Sequence, residues 1–222
     1  MKVEQSKEIT LAMIRENLYA AVVCDVLDSL GFRNQSPAAP LTAQTGCNML
    51  VGRCKTTLWA EMHHVDPRPY ELELKAVDDC EPDDVLIAAA GGSMRSGVWG
   101  ELLSTAAMNR KCAGVIVDGA VRDVAKTTAM KFPVFARGRC IYDSLHRQRV
   151  IDVDVPVEIG GVMFSPGDLV IADADGIVVV PKKIEREAMA KAWEKAHAEN
   201  AIRDDIRAGM KAVAAFEKYG ML

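Results

Sequence analysis

The spacing of apolar positions changes several times along the chain, and each change predicts an element. Between Ser6 and Leu30, residues Val23, Val26, Leu27 and Leu30 recur at the i, i+3, i+4, i+7 spacing of one helix face, and Gly31 supplies a stop. A loop follows from Asn34 to Pro40. The Val-, Thr- and Leu-rich stretch from Met49 to Ala60 predicts a strand, although GRCKTTLWA alternates imperfectly, and a second helix is predicted over Tyr70 to Val77. EPDDVLIAAAGG then reads as a turn, a short buried strand and a double glycine. The helix after it has the clearest period, with Trp99, Leu102, Leu103, Ala106 and Ala107 on its inner face. AGVIVDG and FPVFARG read as buried strands separated by a helix through Val124 and Met130, which gives the order strand, helix, strand, helix, strand.

Past Val150 the pattern changes to short alternation. IDVDVPVEI alternates apolar and polar, and GDLVIADADGIVVVP pairs two strands around a turn holding Asp173, Asp175 and Gly176, so this section is expected to be antiparallel. From Lys182 to Lys218 the chain is alanine-rich and charged with few breakers, which predicts one long helix or two meeting near Asn200 or Gly209. No internal repeat, low-complexity tract or linker interrupts the 222 residues. Mixed strands with covering helices predict an α/β fold, a single layered domain over residues 1–222 with a C-terminal helical extension from about residue 182.

Charge and cysteine usage narrow the partners. The 31 acidic and 27 basic residues leave a net charge of −4 with no basic block to neutralise a run of phosphates, so nucleic acid is not an expected partner. Six cysteines stand without a C-x-x-C pair or compact disulfide spacing, and are expected to be reduced thiols. MKVEQSKEIT lacks the apolar core of a signal peptide, and no apolar run approaches a membrane-spanning length; a cytoplasmic protein without a membrane partner is expected.

Two neighbouring stretches hold the candidate chemistry. If a helix begins near Trp99 after GGSMRSGVWG, its first amides, at Gly100, Glu101, Leu102 and Leu103, lack intrahelical acceptors and form an anion cradle. The stretch has neither the lysine and hydroxyl of a P-loop nor the dinucleotide fingerprint, so a small carboxylate is the expected ligand. The strand AGVIVDG should end on the same side and deliver Asp118, Arg122 and Asp123. Arg122 can bind a carboxylate or a developing enolate oxygen, and Asp123 can give one oxygen to a Mg²⁺ that keeps its waters. The same pattern also fits a surface Arg and Asp capping the next helix, and Asp118 reads as a turn or cap residue.

GELLSTAAMNRKCAGVIVDGAVRD, PVFARG, VDVPVEIGGVMFSPGDLVIADADGIVVVP and ENAIRDDIRAG, taken together, resemble the RraA-like family from about Asp25 to Gly209. That family includes class II pyruvate aldolases acting on 4-hydroxy-4-methyl-2-oxoglutarate and 4-carboxy-4-hydroxy-2-oxoadipate. The resemblance implies an α/β/β/α sandwich with a mixed sheet, of the swivelling-domain type. It also implies a homotrimer or homohexamer with sites at subunit interfaces, and a divalent metal, Mg²⁺ or Mn²⁺. Carried over residue by residue, it places substrate binding at Gly100, Glu101, Leu102, Leu103 and Arg122 and the metal on Asp123. Glu101 and Glu199, the latter from a neighbouring chain, are the implied acids that orient metal-bound water. The implied reaction is a retro-aldol cleavage of a small 4-hydroxy-2-oxo acid to pyruvate and a second keto acid, with oxaloacetate decarboxylation as a side activity. Trp99, Ser93 and Arg95 are expected at the entrance, and His146 stands where a small residue or glycine is expected.

Other residues read as structural. His63 and His64 lack a third spaced ligand, Lys55 and Lys126 read as surface charges, and Asp173 and Asp175 read as turn residues rather than a calcium loop. Cys112 and Cys140 read as packing residues. Some relatives regulate ribonuclease E through protein contacts, so a non-catalytic regulator is the alternative; four retained site residues, Arg122, Asp123, Glu101 and Glu199, favour catalysis.

Overall fold

The computed structural model describes residues 9–220. In chain order its elements are α1 (Leu11–Asn17), α2 (Ala20–Ser29), β1 (Thr42–Ala43), β2 (Leu50–Glu61), α3 (Glu71–Asp78), β3 (Asp84–Gly97), α4 (Glu101–Asn109), β4 (Gly114–Val121), α5 (Val124–Ala129), β5 (Val134–Arg139), β6 (Gln148–Val153), β7 (Val157–Ile159), β8 (Val162–Phe164), β9 (Leu169–Ala172), β10 (Ile177–Val180), α6 (Glu185–Arg207) and α7 (Ala212–Tyr219).

One mixed sheet runs in the order β1-β5-β4-β3-β2-β9-β10, and β6 also pairs with β2. β2, β3, β4 and β5 are mutually parallel. β2 is long enough to face two partners on its other edge, both antiparallel: β9 along Leu50–Arg53 and β6 along Thr57–Glu61. β4 is buried over its whole length, as expected of a parallel strand covered on both faces.

Alternate residues of each strand join different cores, which shows how the sheet curls. Leu86 and Ala88 of β3 and Val115 and Val117 of β4 pack under α3 and α4 with Ala76, Val77 and Ala107. Leu169 and Ile171 of β9 and Val178 and Val180 of β10 pack under α1, α2 and α6 with Ile14, Val23, Leu27, Ala188 and Ala192. The intervening residues Val85, Ile87, Ile116, Phe135, Val170 and Val179 share a third core between the two halves of the sheet, closed by Ile159 and Phe164 of the β7–β8 hairpin. The layering is therefore helix, sheet, sheet, helix, as the resemblance implies.

Several elements depart from the sequence reading. The predicted helix up to Leu30, whose first residues lie outside the described ones, is two helices broken at Leu18 and Tyr19, both extended. The break lets Ala20 N donate to Asp173 Oδ2 at 2.7 Å, so a carboxylate from the β9–β10 turn satisfies a first-turn amide of α2 that has no intrahelical acceptor. The same side chain accepts from Asp175 N at 2.9 Å, in keeping with its reading as a turn residue. GGSMRSG is not a loop before a helix: it extends β3 through two register shifts to Gly97, and α4 starts at Glu101 with Gly100 as its cap. IDVDVPVEI breaks at Asp154 (φ 55°), where the chain leaves β6 and enters the β7–β8 hairpin. The C-terminal helices meet at Gly209 (φ 103°), one of the two expected places. No described helix is long and apolar enough to cross a membrane.

Candidate functional site

The connections leaving β3, β4 and β5 are stitched together by backbone hydrogen bonds. Val98 N donates to Ala120 O at 3.0 Å, Arg122 N to Trp99 O at 2.8 Å, Gly97 N to Tyr142 O at 2.8 Å and Cys140 N to Val121 O at 3.0 Å. So close an approach leaves no room for side chains at two positions. A Cβ on Gly97 would lie 2.6 Å from Cys140 O and 2.9 Å from Arg122 Cβ, and one on Gly100 would lie 2.6 Å from Asp123 Oδ2.

These contacts bring Arg122 and Asp123 against the first turn of α4. Asp123 adopts the left-handed conformation (φ 55°) at the start of α5, which turns its carboxylate back so that Oδ2 accepts from Glu101 N at 3.2 Å. Arg122 Nε lies 3.8 Å from the same oxygen, and Arg122 Nη2 is 2.8 Å from Asp143 Oδ2. Asp143 Oδ1 in turn accepts from the Tyr70 hydroxyl at 2.7 Å and from Leu145 N at 2.8 Å. The guanidinium is thus held from two sides above a cleft of about 250 Å³. Trp99, Gly100, Leu102, Leu103, Arg122 and Asp123 line one part of it, and Tyr70, Glu73, Asp143 and Ser144 line the facing part. A cavity this small suits a small acid better than a nucleotide or a drug-sized ligand.

The predicted site residues divide accordingly. Gly100, Leu102, Leu103, Arg122 and Asp123 converge on the cleft. Glu101 is not among the residues lining the cleft: its amide is taken by Asp123 Oδ2, and its side chain turns along α4 to within 3.5 Å of the Thr105 hydroxyl. Glu199 sits on α6, bonded by the Tyr19 hydroxyl, and is not among the residues lining the cleft. Trp99 lines the cleft and is anchored by its Nε1 to Ser104 Oγ at 2.8 Å. Ser93 and Arg95 instead bond Glu61 Oε1 at 2.5 Å and Met62 O at 2.7 Å. Asp118 is not a turn residue: it lies within β4, buried, paired with Arg137 Nε at 2.5 Å. His146 adopts φ 58°, the backbone state that explains why glycine is expected there, and its Nδ1 accepts from Asp66 N at 3.1 Å.

The residues read as structural are placed as follows. His63, His64 and Lys126 are exposed. Lys55 is largely covered and paired with Asp154 at 2.7 Å, so it is not a free surface charge. All six cysteines are free thiols, and Cys112 is buried.

Among the lining residues that sequence reading missed are Tyr70, Glu73, Asp143 and Ser144. Glu73 had a signal: it occupies the buried stripe of α3 with Ala76 and Val77, while the neighbouring Leu74 faces outward. Burial, reinforced by Asp143 and only partly countered by Arg122, pushes the Glu73 carboxyl up to about 8. Burial also raises Asp143, but the Leu145 amide, the Tyr70 hydroxyl and the Arg122 guanidinium outweigh it and leave that carboxyl below its ordinary value. Burial, followed by the bond to Asp143, lifts the Tyr70 hydroxyl to about 12. The chain Tyr70–Asp143–Arg122 is therefore an ionised acid and a guanidinium held by a neutral phenol.

The donor set suits a divalent ion that keeps most of its coordination for water and substrate. Asp123 Oδ1 makes no hydrogen bond among the described residues, and its side chain is 42% exposed at the rim of the cleft. No group of three His, Cys, Asp or Glu among the described residues forms a cage. Magnesium bound through a single carboxylate fits this arrangement, whereas a structural zinc site does not.

Comparison with known proteins places these features. The family model described as Aldolase/RraA matches residues 20–179, a span that contains every cleft-lining residue named above. A relative from Halalkalibacterium halodurans named "Putative 4-hydroxy-4-methyl-2-oxoglutarate aldolase" is 37% identical over 139 residues, 61% of this chain and 66% of its own length, just under two thirds. Streptomyces coelicolor RraAS2, described as an unusual member of the RNase ES inhibitor RraA protein family, superimposes with a TM-score of 0.79 at 29% identity, covering 88% of this chain and 96% of its own. An uncharacterized protein from Pseudomonas syringae pv. tomato gives a TM-score of 0.78 at 27% identity over 92% and 95% of the two chains.

Proposed function

From the premise that this chain belongs to the RraA-like family, we propose that it is a divalent-metal-dependent lyase that cleaves a 4-hydroxy-2-oxo acid to pyruvate and a second carbonyl compound. One observation carries the reading: Arg122, Asp123 and the first turn of α4 converge on a single small cleft. The names of relatives such as the Halalkalibacterium protein support it.

Asp123 would hold the ion through its free oxygen; when bound, Mg²⁺ or Mn²⁺ supplies the Lewis acidity that draws charge from a chelated 2-oxo acid. The protein's own groups do the rest. The C4 hydroxyl of the substrate loses its proton, the C3–C4 bond breaks, and its electron pair moves onto C3 to form pyruvate enolate while C4 becomes a carbonyl. Protonation at C3 then releases pyruvate. Arg122, whose Nη2 and Nε are already oriented by Asp143 and Asp123, faces the developing enolate and carboxylate charge. The unbonded amides at the start of α4 add to it, each such donor being worth about 3 kcal/mol when well placed. Proton transfer is assigned to Glu101, after rotation of its side chain, and to Glu199 of a neighbouring subunit. A homotrimer or homohexamer with shared sites is supported by the apolar side chains exposed at or beside the cleft, Leu74, Leu102, Ile141 and Tyr142. Loss of carbon dioxide from oxaloacetate would use the same enolate stabilisation.

The test is pyruvate release from 4-hydroxy-2-oxo acids and from oxaloacetate, with Mg²⁺ and with chelator, beside Asp123→Ala and Arg122→Ala. Chelation and either substitution are expected to abolish release. Persistence in chelator would overturn the metal assignment. Inactivity of the native protein across the panel would favour a protein-binding regulator, the reading supported by the likeness to RraAS2.

A further inference from the structure

Glu73 is the one acid in the cleft wall that the chemistry above does not use. It is placed on α3 where an apolar residue would complete the stripe with Ala76 and Val77, and it is 7% exposed. It makes no hydrogen bond or ion pair among the described residues, and its Oε2 is buried without a partner. Tyr70, Asp143 and Arg122 are bonded to one another nearby, so the acid stands outside the network that orients the guanidinium. A buried carboxyl that satisfies nothing in the protein costs stability. Such a group gains its partner when a ligand fills the cleft.

We propose that Glu73 determines specificity: its carboxyl hydrogen-bonds a hydroxyl on the part of the substrate beyond C4, so the enzyme prefers 4-hydroxy-2-oxo acids with one carboxylate and a hydroxylated tail over dicarboxylates. The proposal rests on the lyase reading and narrows its substrate class.

Charge in the cleft points the same way. The lining side chains comprise one base, Arg122, and three acids, Glu73, Asp123 and Asp143. With a dication on Asp123 and Glu73 protonated, the sum is one positive charge, matched by the single carboxylate of a 2-oxo monoacid. A second carboxylate would face Glu73 and Asp143 with no further cation in the cleft wall, because the Arg122 guanidinium is already shared between Asp143 and Asp123. A hydroxyl can accept from a protonated carboxyl and donate to an ionised one, so it satisfies Glu73 in either state. A carboxylate can only accept, and pairing it with Glu73 would confine two acids to one proton beside Asp143.

Two near-isosteric substrates test this. 4,5-Dihydroxy-2-oxopentanoate carries a tail hydroxymethyl where 4-hydroxy-2-oxoglutarate carries a carboxylate; both yield pyruvate on cleavage. The native protein with Mg²⁺ is expected to favour the dihydroxy acid in kcat/KM by at least roughly tenfold. Glu73→Leu should remove that preference by lowering turnover of the dihydroxy acid, and Glu73→Gln, which keeps hydrogen-bonding capacity, should retain part of it. Calorimetric binding of the uncleavable pair 5-hydroxy-2-oxopentanoate and 2-oxoglutarate, with the same variants, reads recognition without turnover. Equal or tighter binding of 2-oxoglutarate, or a preference unmoved by Glu73→Leu, overturns the proposal while any pyruvate release leaves the lyase reading standing. A Glu73-dependent binding preference without pyruvate release has the opposite meaning: the cleft assignment holds and the lyase reading falls.

Discussion

Replacing Glu73 by Gln should remove one source of the fall in folding stability with rising pH. A carboxyl with an ordinary value of 4.5 is raised to about 8 here, chiefly by burial and then by Asp143, with Arg122 opposing. The unfolded chain releases this proton above its ordinary value, while the folded chain retains it until about pH 8. Ionisation therefore favours the unfolded state across that window. Native stability falls as pH rises from about 4.5 to about 8 and levels off beyond. Integrated from pH 5 to pH 8, the loss attributable to this one group is about 3–4 kcal/mol, at about 1.4 kcal/mol per pH unit. Gln is close to isosteric and does not titrate; its buried amide adds a pH-independent offset of about 1–3 kcal/mol that cancels when stabilities at different pH values are compared. The assay is reversible urea unfolding of native and variant protein at pH 5, 6, 7 and 8, in chelator so that no bound cation alters the local charge. The native protein should lose stability relative to the variant by the stated amount as pH rises. Parallel stability curves for the two proteins would show that Glu73 ionises normally, and the burial argument would be wrong.

Two further outcomes follow from the geometry. Gly100→Ala places a methyl 2.6 Å from Asp123 Oδ2, so the carboxylate must move; metal-dependent pyruvate release should fall by roughly 100-fold, with an unchanged far-ultraviolet circular dichroism spectrum. Asp118→Ala leaves Arg137 without its partner inside the sheet, so the denaturation midpoint should drop by an amount equivalent to about 3 kcal/mol while activity per folded molecule is retained; a parallel loss of specific activity would assign Asp118 to the site after all.

What could be read in the sequence was what strong periodicity dictates. β4 and β5 lie where the apolar runs put them, because their burial leaves little choice of period, whereas α4 departs from the predicted face: it begins only at Glu101, after Trp99, and Leu102 is 76% exposed while Leu103, Ser104, Ala106 and Ala107 turn to the core. GGSMRSG misled because its glycines and polar residues have no strand preference of their own; pairing of Ser93 with Gly119 and of Gly97 with Ala120 imposes the extended form from outside. The break before Ala20 was equally invisible, since the carboxylate that satisfies the freed amide, Asp173, lies far along the chain. Within the site, Arg122 and Asp123 were legible because they follow a buried strand, whereas Asp143 comes from an irregular segment whose only local cue was the His146 position. Glu73 was legible in principle, as an acid in an apolar stripe, but its meaning depends on Asp143 and Arg122 arriving opposite it.

The convergence itself has a simple cause. Parallel neighbours β3 and β4 release their chains at the same, C-terminal end of the strands, so the start of α4 and the start of α5 must lie side by side. Adjacent strands alone would leave their two helix entrances separated by ordinary side chains. Here glycine at positions 97 and 100 removes that separation, and the bond from Arg122 N to Trp99 O locks it, so the Asp123 carboxylate reaches the Glu101 amide. A scaffold that fixes an arginine, a carboxylate and free amides through backbone contacts can leave the opposite wall of the cleft, α3 with Tyr70 and Glu73, open to variation. On this argument the reacting half of the substrate is set by the strand ends and the distal half by α3. Substitutions on α3 should therefore alter substrate choice more than the chemistry of cleavage.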